Sequence, residues 1–348
     1  MKNIVLLFFA LLLFFGCQPT QKGAKEGPSS SVQEVNVYTH RHYDVDQQLF
    51  GQFEKEFGIK VNVVNANADE LIQKMEAEGN ASPADVLITV DAGRLARAKD
   101  KGLLQPVESD FLSNTIPDRF KDPENHWFAM TKRARIIIYA KDRVEPSELS
   151  TYEALADERW SEKVLIRSSS NIYNQSLLAS IIANNGEDAA RKWVTGVVEN
   201  MARTPKGNDR DQVKAVAAGE GDLSVVNTYY LGRMMNSSDP AEVEASTRVG
   251  IFFPNQEGRG THMNISGAGV AKYAPNKENA IKFIEYLAAK PAQEVFAQAN
   301  YEYPIHPEVP ATELLQSWGT FKEDTLALST LGDYNKLANL IFDAGRWP

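Results

Sequence analysis

The sequence has a single cysteine, Cys17, among its 348 residues. One thiol excludes an intramolecular disulfide, a cysteine-based zinc site and CxxC redox chemistry, so any bound metal would be held by nitrogen and oxygen. Basic residues are also in short supply, because 37 Lys and Arg face 46 Asp and Glu. The resulting net charge of −9, without a Lys/Arg-rich run, argues against nucleic acid as a partner.

The short motifs of common enzymes are missing as well. The sequence contains no G-x-S-x-G, H-E-x-x-H, P-loop or Rossmann glycine run. A secreted hydrolase or an iron oxidoreductase would require a nucleophile–base pair or an open metal coordination position. We therefore predict a binding protein that is not an enzyme.

The apolar run at residues 4–15 is too short to span a membrane. Twelve residues form a helix of only ~18 Å, whereas the hydrocarbon layer is ~30 Å thick. After the basic start at Lys2, this run predicts an export signal over residues 1–16, followed by a flexible tether over residues 17–31. Cys17 follows the small Gly16 and resembles the lipidation site of bacterial lipoproteins, although an ordinary secretory signal with an incidental cysteine is the alternative. The predicted location is extracytoplasmic, in the periplasm or at the outer face of a membrane, with a lipid anchor at Cys17.

Strand and helix patterns alternate along the remaining chain, which predicts an α/β fold. At this length we expect two lobes, one formed by residues 32–132 plus 250–300 and the other by residues 133–249 plus 301–348. Asp44 is a plausible cap for the first helix. The predicted strands are 35–38, 60–64, 84–90, 135–140, 164–166, 222–226, 249–253 and 267–272. The predicted helices are 44–57, 68–78, 92–101, 151–156, 174–183, 189–199 and a long one from 276 to 299, interrupted at Pro291.

Three polar segments follow predicted strands, and each contains tyrosine: 38–43, 168–173 and 227–230. Each segment alone is better explained by packing and hydrogen bonding than by ligand binding. Because ligands bind at the carboxyl ends of strands in α/β proteins, the three together predict one cleft. A tyrosine phenolate is a hard anionic oxygen donor that suits a highly charged cation such as Fe³⁺.

Five stretches carry a family resemblance: HYDVDQQLFGQFEKEFGIKV, STYEALADERWSEKVLIRSSSNIYNQSLLAS, NTYYLGRM, GTHMNISGAGVAKYAPN and NYEYPIHPEV. The chain resembles the ferric-iron-binding proteins of bacterial ABC importers, and most closely the subgroup that includes cyanobacterial FutA-type proteins. The resemblance implies a two-lobed, type II periplasmic binding protein fold, with a cleft between two parallel or mixed sheets flanked by helices. It also implies a monomer that delivers Fe³⁺ to the transmembrane subunits of an ABC permease. The implied iron ligands are Tyr43, Tyr173, Tyr229 and Tyr230, with His42 as a possible fifth and with Arg133 and Arg233 behind them.

A charge count explains why arginines would lie next to the iron ligands. Four phenolates around Fe³⁺ leave one net negative charge, which one nearby arginine would neutralise. We therefore expect that the site needs no obligatory synergistic anion. The alternative is a protein of the same fold that binds an organic or oxyanion solute, with the tyrosines stacking on it or donating hydrogen bonds to it.

Overall fold

A computed structural model describes residues 33–348. The predicted export signal, the tether and Cys17 lie outside the described residues. The strands are β1 (Glu34–Thr39), β2 (Lys60–Asn65), β3 (Val86–Val90), β4 (Phe128–Ala140), β5 (Val164–Leu165), β6 (Leu223–Asn227), β7 (Val249–Phe252), β8 (Met263–Val270) and β9 (Tyr303–Pro304). The helices are α1 (Asp44–Phe57), α2 (Ala68–Glu78), α3 (Ala92–Asp100), α4 (Asp110–Thr115), α5 (Ile172–Asn185), α6 (Glu187–Glu199), α7 (Asp209–Ala218), α8 (Thr228–Met235), α9 (Pro240–Thr247), α10 (Lys277–Ala288), α11 (Lys290–Asn300), α12 (Glu313–Ser317), α13 (Thr330–Asp333) and α14 (Asn335–Ala344).

Strand β4 belongs to two sheets. Its first half pairs with β8, which continues the order β2-β1-β3-β8, and we call this the first sheet. Its second half pairs with β6 and β7, and β6 pairs with β5, which makes the second sheet. The short strand β9 pairs with β4 in the first sheet. Pairs β1–β2, β1–β3 and β5–β6 are parallel and the others antiparallel, so both sheets are mixed.

Buried apolar strands place the core between the sheets and their helices. All residues of β3, β6 and β8 are buried, as expected for strands that are covered on both faces. Helix α5 is also buried over most of its length, because α6, α13 and α14 pack against it. Within residues 33–348, no helix combines the length and the apolar character needed to cross a membrane.

The N-cap residue of the first helix lies one residue earlier than predicted. Asp44 was expected to cap α1, but Tyr43 is the N-cap residue and Asp44 is the first helical residue. The Asp46 carboxylate accepts a hydrogen bond from the Tyr43 N–H at 3.3 Å, and the Asp46 N–H donates to the Tyr43 carbonyl oxygen at 3.0 Å. This geometry fixes the backbone of a predicted iron ligand.

Several element boundaries differ from prediction. The helix expected at 151–156 is a short 3₁₀ helix at Glu153–Ala156, and β4 starts at Phe128 rather than at 135. The long C-terminal helix breaks at Ala289, ahead of Pro291, because proline fits the first turn of α11 but cannot continue α10. Helices α7, α8 and α9 were not predicted, and α8 carries both adjacent tyrosines.

Candidate metal centre

The four predicted tyrosine ligands all follow the carboxyl end of a strand. Tyr43 caps α1 shortly after β1, and Tyr173 lies in the first turn of α5 after β5. Tyr229 and Tyr230 lie in the first turn of α8, directly after β6. Tyr229 and Tyr173 are buried, whereas Tyr43 and Tyr230 are half-buried.

The structure brings these phenols together. The hydroxyl oxygens of Tyr173 and Tyr229 are 3.3 Å apart, and the ring centroids of Tyr229 and Tyr230 are 4.2 Å apart. Tyr43 is close enough to interact electrostatically with the other three phenols. The first sheet thus contributes one phenol and the second sheet contributes three.

This crowding keeps Tyr43, Tyr229 and Tyr230 neutral without a cation. Burial, followed by the neighbouring Tyr173, raises the pKa of Tyr43 and of Tyr230 above the usual value. Burial also raises the pKa of Tyr229 well above 10, again with Tyr173 as the next cause. Because each phenolate opposes ionisation of the next, only a multivalent cation can stabilise several of them at once.

Five arginines surround the phenols. The guanidinium carbons of Arg133, Arg135 and Arg167 lie 5.1, 5.7 and 5.7 Å from the centroid of the Tyr173 ring. Those of Arg41 and Arg233 lie 5.1 and 4.7 Å from the centroid of the Tyr43 ring. Arg133 and Arg233 were expected here, whereas the other three were not predicted.

Most of these arginines are paired with buried carboxylates. Arg135 and Arg167 each contact Asp209 at 3.0 Å. Arg41 contacts Asp46 at 2.9 Å and Glu302 at 3.2 Å. A fourth carboxylate, Asp91, is fully buried at the end of β3 and interacts electrostatically with Arg133.

Arg133 differs from the other arginines of the site. Its side chain is only 1% exposed, yet none of its three side-chain nitrogens has a hydrogen-bond partner in the described part of the chain. Five arginines therefore face four carboxylates, which leaves one unmatched positive charge beside the phenols. A buried charge without a partner is costly unless a ligand supplies the opposite charge.

The helix that carries Tyr173 is hydrogen-bonded to the first sheet. The Ser176 hydroxyl on α5 donates to Asp91 at 2.6 Å, and Asn264 on β8 donates to the same carboxylate at 2.9 Å. Asp91 has a φ of 83°, a conformation that residues other than glycine rarely adopt. Strain of this kind persists where surrounding contacts hold it, and here they hold α5 against β3 and β8.

The two histidines near the site differ in exposure. His42, the possible fifth ligand, is exposed; its Nδ1 lies 3.3 Å from the His40 carbonyl oxygen and its ring lies 5.2 Å from the Tyr43 ring. His40 lines a cavity of about 500 Å³ together with Tyr173 and Tyr230. Burial, and then the charge of Arg94, lowers the pKa of His40 to about 3, so this imidazole is neutral. Ligation by His42 stays a prediction.

The same cavity is cationic. Arg94, Arg167 and Lys206 contribute to its wall, and Ser168 and Ser170 add hydroxyl groups. A space of this size next to a group of hard oxygen donors can hold a metal ion together with part of an anionic chelator.

Comparison with known proteins places this arrangement in a family. The model of the bacterial extracellular solute-binding protein family matches residues 48–323. The chain belongs to this family. Iron uptake protein A1 of Synechocystis sp. is 51% identical over 315 residues, which cover 90% of this chain and 88% of that protein. The major ferric iron-binding protein of Neisseria meningitidis is 27% identical over 90% of this chain and 94% of its own length.

Solved structures of family members confirm the fold. Trichodesmium FutA (IdiA) in complex with iron and citrate ligands aligns with a TM-score of 0.87 and 51% identity, covering 90% of this chain and 100% of that one. The predicted two-lobed α/β fold and the resemblance to ferric-iron-binding proteins of ABC importers are both confirmed. The boundaries of the lobes and the identity of the ligands stay predictions.

Proposed function

We propose that this chain is the extracytoplasmic component of an ABC importer, which binds Fe³⁺ and delivers it to a permease. The observation that carries the proposal is the cluster of four phenols, Tyr43, Tyr173, Tyr229 and Tyr230, beside the buried Arg133 guanidinium, which has no hydrogen-bond partner in the described part of the chain. The names of its relatives, iron uptake protein A1 and major ferric iron-binding protein, support the same cargo.

The charges of the site suit a ferric ion bound by four phenolates. Such a centre carries one net negative charge, and the five arginines of the site exceed its four carboxylates by one positive charge. The complex is therefore neutral as a whole, which avoids burying net charge. On this basis the protein needs no obligatory synergistic anion and acts as a transport component rather than as an enzyme.

The proposal includes the export and anchoring of the chain. Residues 1–16 direct export, and lipidation of Cys17 holds the protein at a membrane through the tether 17–31. A monomer is sufficient for delivery, because one cleft holds the whole site.

Titration with ferric citrate tests the proposal. The chain lacking residues 1–31 is expected to develop an intense phenolate-to-iron absorption band that saturates at one equivalent. The Tyr273→Phe variant, changed at a tyrosine that is 52% exposed, is expected to give the same band. Absence of the band at every iron concentration, in protein shown to be folded, would exclude the ferric site.

The cationic cavity favours a second candidate, an oxyanion or polycarboxylate solute that the tyrosines contact directly. Arg94, Arg167 and Lys206 would face its carboxylates, and the related Trichodesmium protein is described with citrate as well as iron. Calorimetry with iron-free citrate distinguishes the two proposals. Tight citrate binding without iron supports the solute, whereas binding that requires iron supports the ferric site.

Replacing Arg133 with Met is expected to weaken iron binding without weakening the fold. The Arg133 guanidinium carbon lies 5.1 Å from the centroid of the Tyr173 ring. At an effective dielectric of 20, two unit charges about 5 Å apart interact by roughly 3 kcal/mol, so we expect a loss of about 10- to 100-fold in affinity after the relief of desolvation. The melting temperature of the metal-free variant should stay equal or rise, because a buried guanidinium without a hydrogen-bond partner in residues 33–348 is removed. Competition titration and calorimetry measure both effects.

The control for this variant is Arg143→Met, which removes an arginine paired with Asp222 and Asp142 on the surface. Its iron affinity should equal that of the unmodified chain. Unchanged affinity in the Arg133 variant would contradict the proposed charge compensation.

A further inference from the structure

Asp209 occupies an unusual position behind the phenols. It is the first residue of α7, it is 0% exposed, and its side chain lies among positively charged and backbone donors. One carboxylate oxygen accepts from Arg135 at 3.0 Å and from the Asn227 N–H at 2.8 Å. The other oxygen accepts from Arg167 at 3.0 Å.

Two of these contacts, with Arg135 and Arg167, connect Asp209 to Tyr173. Arg135 and Arg167 both lie over the Tyr173 ring, with each guanidinium carbon 5.7 Å from its centroid. Asn174, the next residue, accepts a hydrogen bond from Arg135 at 3.0 Å and donates one to the Arg167 carbonyl at 2.7 Å. Asp209 thereby fixes the two arginines that enclose this tyrosine.

The third contact, with the Asn227 N–H, connects Asp209 to Tyr229 and Tyr230. Asn227 is the N-cap residue of α8, and Tyr229 and Tyr230 follow it in the first turn of that helix. A bond from the Asn227 N–H to a buried carboxylate fixes the point at which β6 ends and α8 begins. The position of both phenols depends on that point.

We infer that Asp209 is a positioning residue for the metal centre. It holds Tyr173, Tyr229 and Tyr230 in their relative positions, and it keeps Arg135 and Arg167 from donating hydrogen bonds to these phenols. This inference rests on the proposed function. Nε of Arg135 and Nε of Arg167 have no partner in residues 33–348, so the Asp209 oxygens are important acceptors for these side chains. Without the carboxylate, the freed guanidinium N–H groups can donate to phenolate oxygens, which are the same lone pairs that the metal uses.

A double-variant cycle with Asp209→Asn and Arg167→Gln tests this role in the chain lacking residues 1–31. Asparagine keeps one oxygen acceptor but removes the charge, so iron affinity should fall about 10- to 100-fold, as is typical when a residue behind the ligands is lost. If freed arginines compete for the phenolates, then adding Arg167→Gln should restore part of the affinity. If the losses of iron affinity in the two single variants simply add in the double variant, the freed arginines do not compete with the metal for the phenolate oxygens, and that part of the inference is overturned.

Ring NMR of ¹³C-labelled tyrosine in the metal-free protein tests positioning without iron. The Tyr173 and Tyr229 signals should shift in Asp209→Asn and stay in place in Asp222→Asn, which removes a carboxylate paired with Arg143 and Lys163 near the other end of β6. Unchanged signals in Asp209→Asn would overturn the inference, whatever the iron titration gives. Shifted signals in a protein that shows no iron band would support positioning and refute only the ferric function.

Arg167→Gln alone replaces Asp209→Asn if that variant does not fold. Arg167 is 18% exposed, so its loss is milder, and it removes only the contact of Asp209 at that arginine. The Tyr173 signal should still shift, whereas the Tyr229 signal should stay near its original position. The reverse pattern would contradict the inference.

Discussion

Replacing Tyr229 with Phe is expected to lower ferric affinity by more than about 100-fold, beyond the usual effect of losing a residue behind the ligands. Phe keeps the packing of this buried ring but removes an anionic oxygen from the centre of the cluster, where it lies 3.3 Å from the Tyr173 hydroxyl. The ferric ion then loses one phenolate donor, and the net negative charge that the excess arginine charge of the site would balance is lost, so the absorption band should weaken and shift. Competition titration against a chelator measures the loss.

Tyr173→Phe and Tyr230→Phe should behave similarly, whereas Tyr273→Phe should match the unmodified protein. A band of full intensity at one equivalent in Tyr229→Phe would remove this residue from the ligand set.

Iron affinity is expected to fall steeply as the pH drops. Burial first, and the neighbouring phenols second, raise the pKa of Tyr43, Tyr229 and Tyr230, so these groups are protonated in the metal-free protein at neutral pH. Binding must then release one proton from each of these three phenols, and each unit decrease in pH should cost up to about three decades of affinity. Affinity measured between pH 5 and 8, corrected for protonation of the competing chelator, gives this slope.

The control is the melting temperature of the metal-free protein, measured over the same pH range. A constant melting temperature shows that the loss of affinity is not caused by unfolding. If the affinity changes by one decade or less per pH unit, binding releases at most one proton, and most of the phenols do not ligate the metal as phenolates.

The sequence predicts the ligand segments well because the relevant physics is local. Strands 35–38 and 60–64 and helices 44–57 and 68–78 are read from apolar periodicity, and the structure places them within two residues of prediction. Tyrosine-rich segments directly after strands are visible in the sequence as well. Their convergence on one cluster follows from the rule that strand ends share an edge, and the structure brings all four phenols together.

The surroundings of the phenols are much harder to predict. Asp209 and Glu302 lie far in sequence from Arg135 and Arg41, and such pairs depend on which chain segments become neighbours. Helix α8 was missed because β-prone tyrosines open it, whereas its formation depends on packing against α7 and α9. Arg135 was nonetheless detectable, because in a strand it shares a face with Arg133, two residues earlier.

Strand β4 makes the two lobes inseparable during folding. One continuous segment of 13 residues supplies a strand to both sheets, so neither sheet has its complete set of partners unless the other half of β4 is also in place. Excising one lobe would leave an unpaired strand edge that favours aggregation. Denaturation should therefore be a single cooperative event, and a miniature version of this protein would have to retain both halves.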